Sequence, residues 1–353
     1  MVQAQAMEHD TEVEFMVPLV SDVKQQVGMQ AQDFGFVCSG SSDFLAGQAF
    51  SFVQTLDAVG AVPPISESHV EMDGAWALYE AWVKLQLGEV DTALVYSYGK
   101  TSPGSLRDVL ATQLDPYYVT PLWPDAHSLA ALAARVCLES GKISQAEMAE
   151  VAARSLRNAA DNPWAVRSAK THPHFTTAAS ILAEAEVIPP LRELDCALDI
   201  DGGVAVVIAA RDQAASLCER PVWIRGIDHR IDPQNIGARD LARAPSAAQA
   251  AAQAGLRDGQ VGGEKLDFVE LYAPFSYQEL ILLDELGLSR MATDSFINPS
   301  GGVLAGHTMM GSGLMRLAEA SQKIAQGQGD RALAHATSGP LLQQNLVCIL
   351  EGE

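Results

Sequence analysis

The sequence predicts a layered α/β fold, with mixed sheets packed around a central layer of buried helices, and three observations predict it. One pattern occurs twice: residues 71–98 and 298–339 each read as a loop, a helix, the signature G-x-x-D-x-A-L and a short apolar strand. The signature falls at Gly88–Leu94 and again at Gly327–Leu333, and so distant a repeat of one unit implies two similar halves around a shared core. Strand and helix patterns alternate through both halves, as a layered α/β fold requires. The helix over 74–87 is apolar nearly all round, with Trp76, Leu78, Tyr79, Trp82, Val83 and Leu85, so it belongs inside the molecule.

In chain order, residues 11–33 place Val13, Phe15, Met16, Val20, Val23 and Val27 at helical spacing, and Phe34–Cys38 reads as a buried strand. Ser39–Asp43 is a turn that caps a further helix, which the proline pair at 63–64 bars from continuing. A strand over 92–98 follows the central helix. Residues 99–125 are loop-rich, with Pro103, Pro116, Pro121 and Pro124. Helices are expected at 127–139 and 144–160, the second opened by a Ser144/Glu147 capping box. A long polar loop over 162–177 carries His172 and His174, then a helix runs to about 186. The second half brings strands at 199–208, 222–230 and 267–271, an Ala-rich helix at 247–257 and a helix at 276–286 closed by Gly287.

Composition narrows function. The 353 residues carry a net charge of −21 with no Lys/Arg-rich block, which speaks against nucleic acid and anionic membrane as partners. No apolar run approaches the ~20 residues of a membrane span, and Met1–Asp10 is polar, without a signal-peptide core. The five cysteines are scattered, with no CxxC and no zinc spacing. A reduced, cytoplasmic protein without a metal of its own is the expectation.

The motifs resemble those of the thiolase superfamily, most of all its sterol-carrier and lipid-transfer branch, over residues 11–351. Asn162–Trp164, the run from Pro189 to Cys196 and Asp201–Gly203 resemble its loop domain and the start of its second half. Val269–Phe275 reads V-E-L-Y-A-P-F where the family has V-E-L-H-D-C-F. Asn298–Gly302 and Gly306-His307 sit on its N-x-x-G-G and G-H-P motifs. The resemblance implies a five-layered αβαβα fold of two pseudo-repeated halves, with mixed sheets around central buried helices. It divides the chain into a first half (1–110), a loop domain (111–194) and a second half (195–353). The family's first strand has no counterpart in this sequence ahead of residue 11.

The departures from the family decide the chemistry. A thiolase takes its acyl group on a cysteine at the head of the central helix. Counted back from Gly74, that place is about Glu71, with Asp73 nearby, and the second cysteine position is Pro274. Neither can form a thioester, which argues against acyl transfer. What remains is Tyr272 in place of the family's His, then His307, Asp73, Glu71 and His335.

A cysteine-free branch of the family, with Tyr at this position, consists of retro-aldolases that cleave β-hydroxyacyl-CoA thioesters in steroid side-chain breakdown. They work with a small partner carrying a zinc ribbon and an OB-fold. The likeness implies the same here, with no covalently bound cofactor and acyl-CoA as substrate. Tyr272 would take the hydroxyl proton and His307 would hold the enolate oxygen. A phenol with an ordinary pKa of about 10 needs a cationic neighbour or a relay for that task.

A catalytically silent subunit, paired with an active thiolase-like chain, fits the same losses, since a carboxylate in the old nucleophile pocket repels an enolate. In either case a homo- or heterodimer is expected. Plainer roles stand beside these. Tyr272 can also be read as an interface residue, Asp73 as a helix cap and Glu71 as a solvated carboxylate. Met309, Met310 and Met315 read as packing, and His172 and His174 as surface residues. Arg225, Arg230, Arg239 and Arg243 are the candidates for CoA contact.

Overall fold

The computed structural model describes residues 2–5, 10–60, 66–291 and 293–352; the proline pair at 63–64 lies outside them. Two mixed sheets form the frame. From edge to edge the first runs Val2–Gln5, Gly202–Ala209, Thr92–Gly99, Phe36–Gly40 and Glu67–Val70. The second runs Trp223–Ile231, Gln344–Glu351, Arg331–Ser338 and Phe268–Glu270. Read in that order, each sheet begins with two antiparallel pairings and then a parallel one. The repeat seen in sequence is thus a repeat of topology, with Glu67–Val70 as one extra parallel strand in the first sheet.

Helices complete five layers. Glu12–Val27 and Phe52–Val59 cover the outer face of the first sheet, where Phe15, Met16, Leu19 and Val20 meet Leu94 and Tyr96. Between the sheets lie Gly74–Gln86 and Ser312–Ala325, packed with Val95, Val204, Ala334 and Cys348. Pro245–Ala254 and Ser276–Glu285 close the outer face of the second sheet. The Ser144/Glu147 capping box opens the helix Gln145–Asn158 as expected.

One expectation is overturned. The chain does have a strand ahead of its first helix: Val2–Gln5 pairs antiparallel with Gly202–Ala205. It takes the place in the first sheet that Trp223–Ile231 takes in the second. A four-residue edge strand has one neighbour only and no apolar run, so the sequence pattern does not announce it.

The heads of the two central helices meet almost without side chains. A Cβ on Gly74 would sit 2.9 Å from Leu314 Cδ2, and one on Gly313 would overlap the Asp73 carboxylate and lie 2.6 Å from Ala336 Cβ. Glycine at both heads is what allows this approach. Asp73 then caps both helices at once. It accepts from Ala75 N (2.8 Å) in its own helix, and from Gly313 N (2.7 Å) and Leu314 N (3.1 Å) in the other. Three orphan donors at two helix N-termini are satisfied by one carboxylate.

Candidate active site

A cavity of about 420 Å³ lies at these helix heads. Its wall is mostly apolar, with Leu106, Leu110, Leu114, Phe275, Met310 and Leu342 among its residues. Polar groups reach it from Asp73, Asp199, Tyr272, His307, His127 and Gln278. A site of this size, apolar with a few converging polar groups, is the usual form of a small-molecule pocket.

Tyr272 and His307 come together there. The tyrosine hydroxyl is 2.7 Å from His307 Nε2, and His307 Nδ1 is 2.6 Å from Asp199 Oδ1. A carboxylate can only accept, so Nδ1 carries the ring proton and Nε2 accepts from the tyrosine. The carbonyl of Met309, 3.1 Å away, is the second acceptor in reach of that hydroxyl. Tyr272, His307 and Asp199 therefore form a proton relay. Because both nitrogens of His307 are engaged within it, the ring has no N–H left to hold an enolate oxygen, and the role expected for it there falls away.

Local structure explains why these groups converge. Tyr272 follows the strand Phe268–Glu270, whose end is fixed by Asn298: its Oδ1 accepts from Leu271 N at 2.5 Å. Asn298 has φ 47°, a left-handed conformation that asparagine tolerates better than most residues. Its amide donates to Glu279 at 2.7 Å, and Glu279 is paired with Arg154. Below, the buried Glu270 accepts from Ser300 N, from the Ser300 hydroxyl and from Arg316. Burial pushes the Glu270 carboxyl up and Arg316 opposes it. His307 is held by its backbone: its N–H donates to Leu198 O and its carbonyl accepts from Ile200 N, both at 2.9 Å. That pairing sets Asp199 beside the ring.

Burial holds the Tyr272 phenol well above its ordinary pKa, and the negative charges of Asp73 and Asp199 push the same way. Arg316 and the Ser312 hydroxyl pull it down but do not win. Tyr272 is thus a neutral phenol at rest, poised to donate. Arg316 is a cation that lowers it, and its pull does not free the phenol of its proton. The relay through His307 is the alternative that the structure supplies.

The remaining candidates separate. Asp73 lines the cavity but is committed to its two helices, and burial raises it to about 7. Glu71 is not at the cavity; it accepts from Asp43 N at 2.7 Å and lies 3.6 Å from His69. His335 is fully buried in its strand, 2.9 Å from Asn345 Oδ1, and burial lowers it to about 4. It does not join the site. Met309 and Met310, read as packing, line the cavity. The four arginines are otherwise occupied: Arg225 with Glu351, Arg230 with Asp228, Arg243 with Glu285, and Arg239 with the carbonyls of Pro340 and Leu341.

Among the described residues no cysteine lines the cavity, and burial pushes Cys38 and Cys196 up to about 12. No cluster of His, Cys, Asp or Glu among them could hold a metal ion, and no helix is long and apolar enough to cross a membrane. Asp199, His127 and Gln278 were missed in sequence. The one available signal was Asp199-Ile-Asp201, two carboxylates framing a turn, of which Asp201 is bound by Lys100 at 2.6 Å and Asp199 is left to face the histidine.

The fold is thiolase-like, and comparison with known proteins agrees. The chain covers 99% of its length on the human mitochondrial 3-ketoacyl-CoA thiolase, with TM-score 0.75, 16% identity and 97% of that chain covered. The Bacillus anthracis acetyl-CoA acetyltransferase gives the same TM-score and identity, with 99% and 96% covered. In sequence it is 26% identical to an acetyl-CoA acetyltransferase of Methanothermobacter thermautotrophicus, over 78% of this chain and 76% of that one. It is 22% identical to the benzoylsuccinyl-CoA thiolase subunit BbsB of Thauera aromatica, over 82% and 77%. No family model matches. Sequence relatives and structural neighbours together support the thiolase superfamily.

Proposed function

We propose that this chain cleaves a β-hydroxyacyl-CoA thioester by a retro-aldol reaction, in the breakdown of a lipid or steroid side chain. The observation that carries the reading is the Tyr272–His307–Asp199 relay facing an apolar cavity with no thiol in its wall. The substrate hydroxyl donates to the Tyr272 oxygen while the phenol proton moves to His307 Nε2, and Asp199 stabilises the imidazolium so formed. No free tyrosinate has to persist, so the raised phenol pKa is no obstacle. The Cα–Cβ bond breaks, the former alcohol carbon becomes a carbonyl, and the electron pair passes into the enolate of the shortened thioester. Return of the proton along the same relay to Cα completes the turnover.

The chain is proposed to act in the cytoplasm as a homo- or heterodimer with a thiolase-like chain, and with a small zinc-ribbon/OB-fold partner. The test is release of a ketone or aldehyde from a β-hydroxyacyl-CoA by the purified chain, alone and with co-purified partners. Tyr272→Phe is the control: wild-type turnover in that variant sinks the assignment.

A second reading, a silent subunit of an acyl-CoA thiolase or aldolase complex, draws on Asp73. A carboxylate spent on joining two helices stands near where an acyl-transfer enzyme needs a nucleophile. A relative that is itself named a thiolase subunit fits that picture. It predicts no cleavage by this chain in any arm, and turnover only from a co-purified chain that Tyr272→Phe leaves unaffected.

A further inference from the structure

We propose that His127 and Gln278 are the pair that grips the thioester carbonyl oxygen and takes up the enolate charge when the carbon–carbon bond breaks. The inference rests on the retro-aldol reading and supplies the donor that His307 cannot, since both its nitrogens are engaged by Tyr272 and Asp199.

Gln278 stands in the cavity wall near the start of the helix Ser276–Glu285, and is 3% exposed. Its Nε2 donates to the Tyr277 hydroxyl at 3.3 Å, while its Oε1 has no hydrogen-bond partner. Turned over, the amide accepts from the Tyr277 hydroxyl through Oε1 and presents its NH2 group as a donor. The place now held by Oε1 is closed to water, so the turned amide is fully satisfied only when it swings to meet an acceptor oxygen in the cavity.

His127 reaches the same cavity from the helix Ala126–Glu139. Its ring stands edge-on to Phe275, with centroids 5.4 Å apart at 90°. Neither ring nitrogen has a hydrogen-bond partner among the described residues. Phe275 and Gln278 are three residues apart at the start of one helix and so share a face. The imidazole and the amide therefore border one stretch of wall, with the Arg107–Asp125 ion pair on the imidazole side and apolar side chains around the rest. Donors fixed in a water-poor site are what a developing oxyanion needs. The electron pair of the breaking bond ends on that oxygen, and the proton returns to Cα from the Tyr272 relay.

The test uses two probes that differ by one oxygen: octanoyl-CoA, a thioester, and S-octyl-CoA, the thioether without the carbonyl. Calorimetric titration of the wild type should show octanoyl-CoA binding about tenfold tighter. Gln278→Leu and His127→Phe should each remove most of that preference and leave the thioether affinity unchanged, and His127→Gln, which keeps a donor, should restore part of it. Equal weakening of both probes, or an unchanged preference, overturns the proposal. So does a wild type that binds neither probe. If the preference behaves as expected but no β-hydroxyacyl-CoA is cleaved, the retro-aldol reading fails and the oxygen-binding pair stands as part of an acyl-CoA site.

Discussion

The two central helices open on mouths of different character. Ahead of Ser312–Ala325 the chain brings His307 to Tyr272 and Asp199, a row of proton-carrying groups facing the cavity. Ahead of Gly74–Gln86 it places Asp73, whose oxygens are occupied by three backbone donors, and Glu71, turned away to Asp43 N. The halves share a topology, yet one mouth is equipped for proton movement and the other for holding the halves together. In the proposed reaction only one of the two equivalent loops of this duplicated scaffold is needed for chemistry. The other is released to carry structure.

Substitutions can break this contrast, and the largest effect belongs to the mouth of Ser312–Ala325. Tyr272→Phe keeps the ring and removes the hydroxyl, so turnover should fall by roughly 10⁴-fold with little change in thermal stability. Asp199→Asn offers Nδ1 a side chain that can also donate, which favours the wrong tautomer of His307. A loss on the order of 10³-fold is expected in single-turnover cleavage. If either variant lost stability in proportion to rate, the mouth of Ser312–Ala325 would be structural too.

His335 supplies the counter-example within the same half. Burial lowers it to about 4 from 6.5, so the folded state favours the neutral ring. Its contribution is whole above pH 6.5 and is lost as pH falls through 4, about 3 kcal/mol in all. Urea titrations across that range should show the loss, and His335→Gln should flatten it. Asp73 works in the opposite sense: burial raises it to about 7, so its contribution grows as pH falls from 7 toward 4. Asp73→Asn should remove that trend. It should also cost about 1–3 kcal/mol at neutral pH, because the amide NH2 then faces a backbone N–H. Glu71→Gln, on the exposed side of the same mouth, should change turnover by less than about twofold and stability by less than about 0.5 kcal/mol.

The sequence carried the broad contrast more easily than its details. The signature at Gly88–Leu94 and Gly327–Leu333 foretold the pseudo-repeat, and V-E-L-Y-A-P-F with Gly306-His307 pointed at two members of the relay. Asp199 was hidden because its place beside His307 comes from backbone pairing between Leu198, Ile200 and His307, which no spacing encodes. Val2–Gln5 was hidden because an edge strand of four residues has no apolar pattern of its own. Counting from Gly74 put the lost nucleophile's place at about Glu71 with Asp73 nearby, but a count along the chain says nothing of which way a side chain turns. Asp73, two residues on, is the one that lines the cavity.

Asp73 also bears on how the chain reaches this state. Its bond to Gly313 spans 240 residues of sequence, so the chain must close a very long loop before that carboxylate finds its second set of donors. Such distant contacts form late, after each half has acquired its own sheet. In stopped-flow experiments Asp73→Asn should therefore accelerate unfolding while leaving the refolding rate nearly unchanged. A slowed refolding limb would mean that the halves dock early, with this joint as part of the nucleus.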